Sequence, residues 1–401
     1  MKALILVLAC SVCGAASAQT TAFINANLLD PATGEVVNGT LVVENGRIAA
    51  LGDVEVPEGA AVHDLEGRFV LPGYVDAHVH IATVAGMERA LASGVTTARS
   101  ANTPAYQDVT LREMVREGVL PGPEMLATGT FVTPDPGDRI LGDARLATLH
   151  RGINTDDELR QVVSVNKDRG VDWVKTRGTE RAGLPNTDPR KQVYTEAQLR
   201  VIVEEAGETP VLVHAHGDEG ARAAVLAGAR SIEHGTYLSD GTIALMKERG
   251  TYLVPTYTIV EDLLLPGGDY DNPVLIIRAQ HMLPNLERAI AAAHAAGVSI
   301  VTSTDTAYGP ESVARVGTEI VNFARIGMSP VEAIRAATTV AAAMLGMEDR
   351  IGRIAVGFEA DLVVIDGNPL EDVRRVQDVL AVMSNGNLAV NRLPFARGDE
   401  D

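Results

Sequence analysis

The sequence predicts an α/β chain: a (β/α)8 TIM barrel carrying a small β-sandwich domain built from both chain termini. Three observations lead there. Apolar runs without polar alternation recur through the middle of the chain, each followed by an amphipathic helical stretch. Both ends read instead as short alternating strands joined by tight turns. Histidines gather at the ends of the apolar runs, beginning with VDAHVH at 75–80.

The first eighteen residues stand apart. Met1 and Lys2 give a short positive start, Ala3 to about Gly14 an apolar core, and Ala16-Ser17-Ala18 a small-residue site. This predicts a signal peptide (1–18) cleaved before Gln19, and an exported protein, periplasmic or secreted. Lipoprotein processing at Cys10, after Val7-Leu8-Ala9, ranks second because the apolar stretch before it is very short. The run is also too short to span a bilayer. Both cysteines, Cys10 and Cys13, lie inside this segment. The mature chain is therefore expected to lack disulfides and thiolate ligands, leaving His and oxygen donors for any metal.

Residues 19–70 contain AFINANLL, TLVVENGRIAALG and AVHDLEGRFVLPG in strand-turn-strand order, with a tight-turn signal at Asn45-Gly46. The texture returns in 352–401, in DLVVIDGNP and DVLAVMSNGNLAVN, with a second turn signal at Asn385-Gly386. These two segments are expected to form the β-sandwich. Between them, 71–351 is expected to form the barrel. Strand-like runs near 69–81, 95–101, 124–132, 171–177, 209–217, 230–238, 252–258 and 298–306 make about eight units, as such a barrel requires. An open doubly wound sheet would show a glycine-rich phosphate turn after its first strand, and none is present.

A net charge of −19 argues against a nucleic-acid partner, since phosphate binding needs a basic surface. No later stretch is apolar for long enough to span a membrane. A small-molecule substrate fits this chain, and a homo-oligomer stays open.

Barrel chemistry sits at the C-terminal ends of strands. Those ends supply His78 and His80, Lys175, His214 and His216, His234, and Asp305. His78 and His80 share one face of a strand, because side chains alternate with a period of two. One strand-end histidine alone is ordinarily a half-buried hydrogen-bonding residue. Jointly these ends converge on one mouth, which points to a metal site. Neutral imidazoles and carboxylates suit zinc or a similar divalent ion. One catalytic zinc normally takes three protein ligands, so this set suits two metals about 3.5–4 Å apart. Lys175, in VDWVKTRG, either points away as an ordinary lysine or has reacted with carbon dioxide to give a carbamate.

These residues, in this order, resemble the amidohydrolase superfamily, whose metal motif is H-x-H followed by Lys, His, His and Asp from later strands. LVHAHG (212–217) and SIEHGTYL (231–238) resemble its imidazolonepropionase/prolidase-like branch, and DRIGRIAVGFEADLVVIDGNPLEDV (349–373) looks like the return into the small β-sandwich. The resemblance covers essentially all of the mature chain. It implies that His78, His80 and Asp305 hold one divalent metal ion and His214 and His234 the other. Lys175, as N6-carboxylysine, would bridge them together with a hydroxide.

The chemistry implied is metal-dependent hydrolysis of an amide bond, with Asp305 as general base and then as proton donor to the leaving nitrogen. The substrates implied are dipeptides or N-acyl amino acids with a free C-terminal carboxylate. His216 is expected to contact substrate or to hydrogen-bond a ligand, and Tyr237 to contact substrate or to pack. Arg177 or Arg181 could meet the substrate carboxylate. The loop FVTPDPGDR (131–139) lacks the Gly-Gly-His segment of many relatives. Rival readings are a lactonase or cyclic amidase on the same metals, and a non-catalytic exported binding protein.

Overall fold

The computed structural model describes residues 20–265 and 271–396. The expected signal peptide lies outside them. Eight strands from the two ends of the chain share one sheet. From the first part come β1 (Thr21–Asp30), β2 (Glu35–Glu44), β3 (Arg47–Gly52), β4 (Ala61–Asp64) and β5 (Phe69–Pro72). The main order is β15-β14-β13-β5-β1-β2-β3, with β4 paired to β1; β13 is Leu362–Ile365, β14 Val379–Ser384 and β15 Asn387–Asn391. The two ends join where β5 runs antiparallel to β13, Leu71 opposite Val363. Phe23, Leu28, Leu41, Val70, Leu362 and Met383 pack in a core of this sheet's own. All eight strands from the two ends of the chain are linked by one continuous path of hydrogen-bonded pairings.

One residue beyond β5 the chain enters the middle segment. Strands β6 (Tyr74–Val79), β7 (Val95–Ser100) and β8 (Glu124–Leu126) form a parallel sheet. A second is made by β9 (Val174–Arg177), β10 (Val211–Ala215), β11 (Ser231–His234) and β12 (Tyr252–Val254). Their residues are almost all buried, as parallel strands covered by helices on one face and packed side chains on the other should be. The intervening helices start where the sequence provides caps. Thr155 with Glu158, and Thr195 with Gln198, close reciprocal capping boxes.

The eighth run, 298–306, forms no strand. It is held by parallel bridges, Leu253 to Ile300 on one side and Val79 to Thr306 on the other, and Val132 bridges Thr176 between the two sheets. Near its end the backbone leaves the extended region. Asp305 takes a φ of 53°, while its amide still donates to His78 O at 2.8 Å. Val75 and Ala77 of β6, Leu212 of β10, Val254 of β12 and Val301 meet Trp173 in one apolar cluster. The strands thus surround a shared interior, and their C-terminal ends open on one cavity.

Candidate metal centre

His78 and His80 come together as the sequence suggests, although only His78 lies within β6, which is buried throughout, and His80 follows just beyond its end. Their Nε2 atoms lie 3.5 and 3.0 Å from Oδ1 of Asp305, so these three residues form one potential ligand group. His214, His216 and His234 form a second, their ligand atoms all within 4.8 Å of one another. The rings of His78 and His234 are 5.2 Å apart, which places the two groups side by side.

The imidazoles are oriented from behind. Nδ1 of His78 meets Glu233 at 2.6 Å, that of His80 the carbonyl of Asn102 at 2.7 Å, that of His216 Thr236 Oγ1 at 2.9 Å, and that of His234 Thr256 Oγ1 at 2.7 Å. With Nδ1 engaged, Nε2 is left to face the cavity. His214 is reversed, its Nε2 lying 3.2 Å from Glu180 O. Burial pushes the pKa of His78 down to about 4 and of His216 to about 3, and holds His214 and His234 well below the usual histidine range. These rings are therefore neutral, the form in which imidazole ligates a metal. Burial opposes ionisation of Asp305, but His78, His80 and Lys175 outweigh it and keep the carboxyl below its ordinary range.

Lys175, at the second position of β9, is buried, and its Nζ has no hydrogen-bond partner. Burial lowers its pKa to about 8, against the opposing pull of Glu233 and Asp305. A buried amine left without a partner is costly. It is an orphaned polar atom of the kind that a further group would complete, and the imidazole-carboxylate donors around it fit a divalent cation.

Two of the candidate ligands take positive φ: besides Asp305, His234 has a φ of 73°. Positive φ is uncommon for residues with a side chain and concentrates at functional sites. At both positions the turn carries a candidate ligand away from the strand direction.

Sequence reasoning missed Glu233 and Arg99. Glu233 is fully buried beside His234 and accepts from Arg99 Nη2 at 2.7 Å and Ser231 Oγ at 2.5 Å, in addition to its contact with His78. Arg99 lies over the Trp173 ring, 4.6 Å from its centroid, and donates to Ala77 O at 2.7 Å. Two charged residues inside strands otherwise buried were the available signal, since a buried charge demands a partner. His216 stands within the second imidazole group, alongside His214 and His234. Tyr237 does not line the cavity; its hydroxyl is 2.9 Å from His281 Nδ1. Arg177 pairs with Asp135, whereas Arg181 faces the cavity.

The cavity holds about 430 Å³. Its floor is the six candidate ligands with His216, and its walls include Phe131, Arg139, Arg181, Ile259, Leu263 and Met282. Such a pocket admits a small molecule over paired metal-ligand groups, the arrangement of a hydrolase that works with metal. The family description bears this out. The amidohydrolase family matches residues 69–389, and the chain belongs to that family. It is a hydrolytic enzyme, a metal-dependent amide hydrolase. Ochratoxinase from Aspergillus niger is 27% identical over 407 residues, covering 90% of this chain and 84% of the relative. Imidazolonepropionase from Micrococcus luteus is 27% identical over 379 residues, covering 84% and 90%. A crystal structure of a Xaa-Pro dipeptidase with methionine bound in its active site superposes with a TM-score of 0.82 at 26% identity, covering 92% of this chain and 99% of that one. No described helix is long and apolar enough to cross a membrane.

Proposed function

We propose that this enzyme cleaves the amide bond of dipeptides or N-acyl amino acids with a free C-terminal carboxylate, using two divalent metal ions, zinc in the first instance. The observation that carries the reading is the Nζ of Lys175, without a hydrogen-bond partner and buried in the cavity that also holds both ligand groups. His78, His80 and Asp305 would hold one ion, and His214 and His234 the other. Lys175 would bridge them as a carbamate: its neutral amine forms an N–C bond to carbon dioxide and releases one proton. Dipeptidase and ochratoxinase activities among the relatives support the bond type.

When bound, the metal pair supplies an activated water and a Lewis acid for the scissile carbonyl. The protein's own part begins with orientation: Glu233, Asn102, Thr236 and Thr256 fix four imidazoles before any substrate arrives. Asp305, ionised and aimed at both His78 and His80, takes a proton on its carboxylate during attack and returns it to the leaving nitrogen. His216 has its Nδ1 tied to Thr236, which leaves Nε2 free to meet the substrate carbonyl or a ligand. The apolar walls exclude water from the reacting bond.

Metal analysis paired with a hydrolysis screen tests the reading. Zinc-loaded protein should carry about two ions per chain and release amino acids from N-acyl amino acids or dipeptides. Protein prepared without chelator that holds no metal, or that leaves the whole panel intact, would refute it. The amino-terminal pattern extends the proposal to export, which sequencing the mature N-terminus from the secreted or periplasmic fraction would check.

A further inference from the structure

Beside the metal centre the wall opens into a second cavity of about 250 Å³, and Asn102, Phe131, Arg139 and Arg181 line both. The side pocket is lined in addition by Thr133, Asp135 and Arg177. Its charge is unusual for this chain. In a protein of net charge −19, the guanidinium groups of Arg139 and Arg181 have no hydrogen bond or ion pair with any described residue. Arg177 stands behind them, 4% exposed; it pairs with the exposed Asp135, but its Nε is buried and has no partner. Three guanidiniums against one carboxylate leave the pocket positively charged where it meets the reaction chamber. A carboxylate is the natural complement, because the guanidinium fork matches its two oxygens.

The geometry points to a carboxylate subsite formed by Arg139 and Arg181, with Arg177 behind them, that seats the free acid of the substrate and so positions its amide bond over the metal centre. The inference rests on the proposed function and deepens it. Arg139 comes from the loop after β8, in the stretch FVTPDPGDR, and Arg181 from the loop after β9, so two different loops converge on one anion. The rest of the chamber wall carries Ile259, Val260, Leu263 and Met282, with no cation. The substrate class is thus polarised: an acid toward the arginines and an apolar group toward the helices.

Binding of N-acetyl-L-phenylalanine and of its C-terminal amide to the full zinc-loaded chain, measured by calorimetry, separates the subsite from turnover. The acid should bind the parent enzyme roughly 10-fold or more tightly than the amide. Arg139→Ala and Arg181→Ala should each remove most of that preference, and Arg181→Lys should keep part of it. With any N-acyl amino acid that is turned over, KM should rise more than kcat falls. An acid preference that is absent in the parent, or unchanged in both alanine variants, overturns the subsite. Arginine-dependent binding without hydrolysis of any N-acyl amino acid or dipeptide keeps the subsite and overturns the proposed function instead.

Discussion

Oε2 of Glu233 lies 2.6 Å from Nδ1 of His78 and 2.7 Å from Nη2 of Arg99. One buried carboxylate therefore orients a metal-site imidazole and neutralises a guanidinium at the same time. Glu233→Gln should weaken metal binding roughly 10- to 100-fold, read by competition with a chelator. Glu233→Ala should in addition cost about 3–5 kcal/mol of stability, because Arg99 is left buried without its counter-charge. Parent-like metal affinity in both variants would remove the orienting role.

Lys175 Nζ lies 5.7 Å from the centroid of the Phe131 ring and has no hydrogen-bond partner. Lys175→Ala should lose metal and activity together. Magnetic resonance with isotopically labelled bicarbonate should show a carbamate signal in the parent and none in the variant. A variant that keeps two metals and full turnover would rule out the bridging assignment.

Asp305 is the carboxylate shared between His78 and His80. Asp305→Asn should reduce kcat by about 10²–10⁴-fold, the range typical of a lost general base. A rate within a few-fold of the parent would show that the proton travels elsewhere.

Glu319 gives a pH prediction away from the metal ligands. It is fully buried and accepts from the backbone amides of Tyr257 at 2.9 Å and Thr258 at 2.8 Å and from the Thr258 hydroxyl, fixing the start of the helix whose Ile259 and Val260 line the chamber. Burial outweighs these donors and pushes its pKa up from 4.5 to about 8. Between those values the folded state holds more protons than the unfolded chain, so this group's contribution to stability falls as pH rises. Glu319→Gln should flatten the stability profile across that window in denaturant titrations. An unchanged slope would mean that Glu319 does not titrate there.

Much of this was legible because its causes are local. Apolar runs and turn residues betray a buried parallel core, and His-x-His and IEH mark strand ends, whereas WVK, expected at a strand end, opens β9. Pairings across long separations were not legible. Glu233 reaches His78 over 155 residues, and nothing near VDAHVH announces it. The run at 298–306 reads as a strand by composition, yet it makes only isolated bridges to its neighbours, and Asp305 near its end takes a positive φ. His216 and His214 face the same way on paper, and only the packing of His234 against both shows that all three rings form one group. Tyr237 lay close to His234 in sequence, but its hydroxyl turned to His281.

The pairing of β5 with β13 bears on how the enzyme is made. β5 is the last strand before His78, and its antiparallel partner is encoded nearly three hundred residues later. Synthesis delivers the first candidate ligands early, while the strand that pins their base to the terminal sheet emerges near the end. Contacts of such sequence separation slow folding and leave sheet edges exposed meanwhile. The six candidate ligands are therefore not all present until residue 305 has been made, and the pairing that ties their base to the terminal sheet waits longer still.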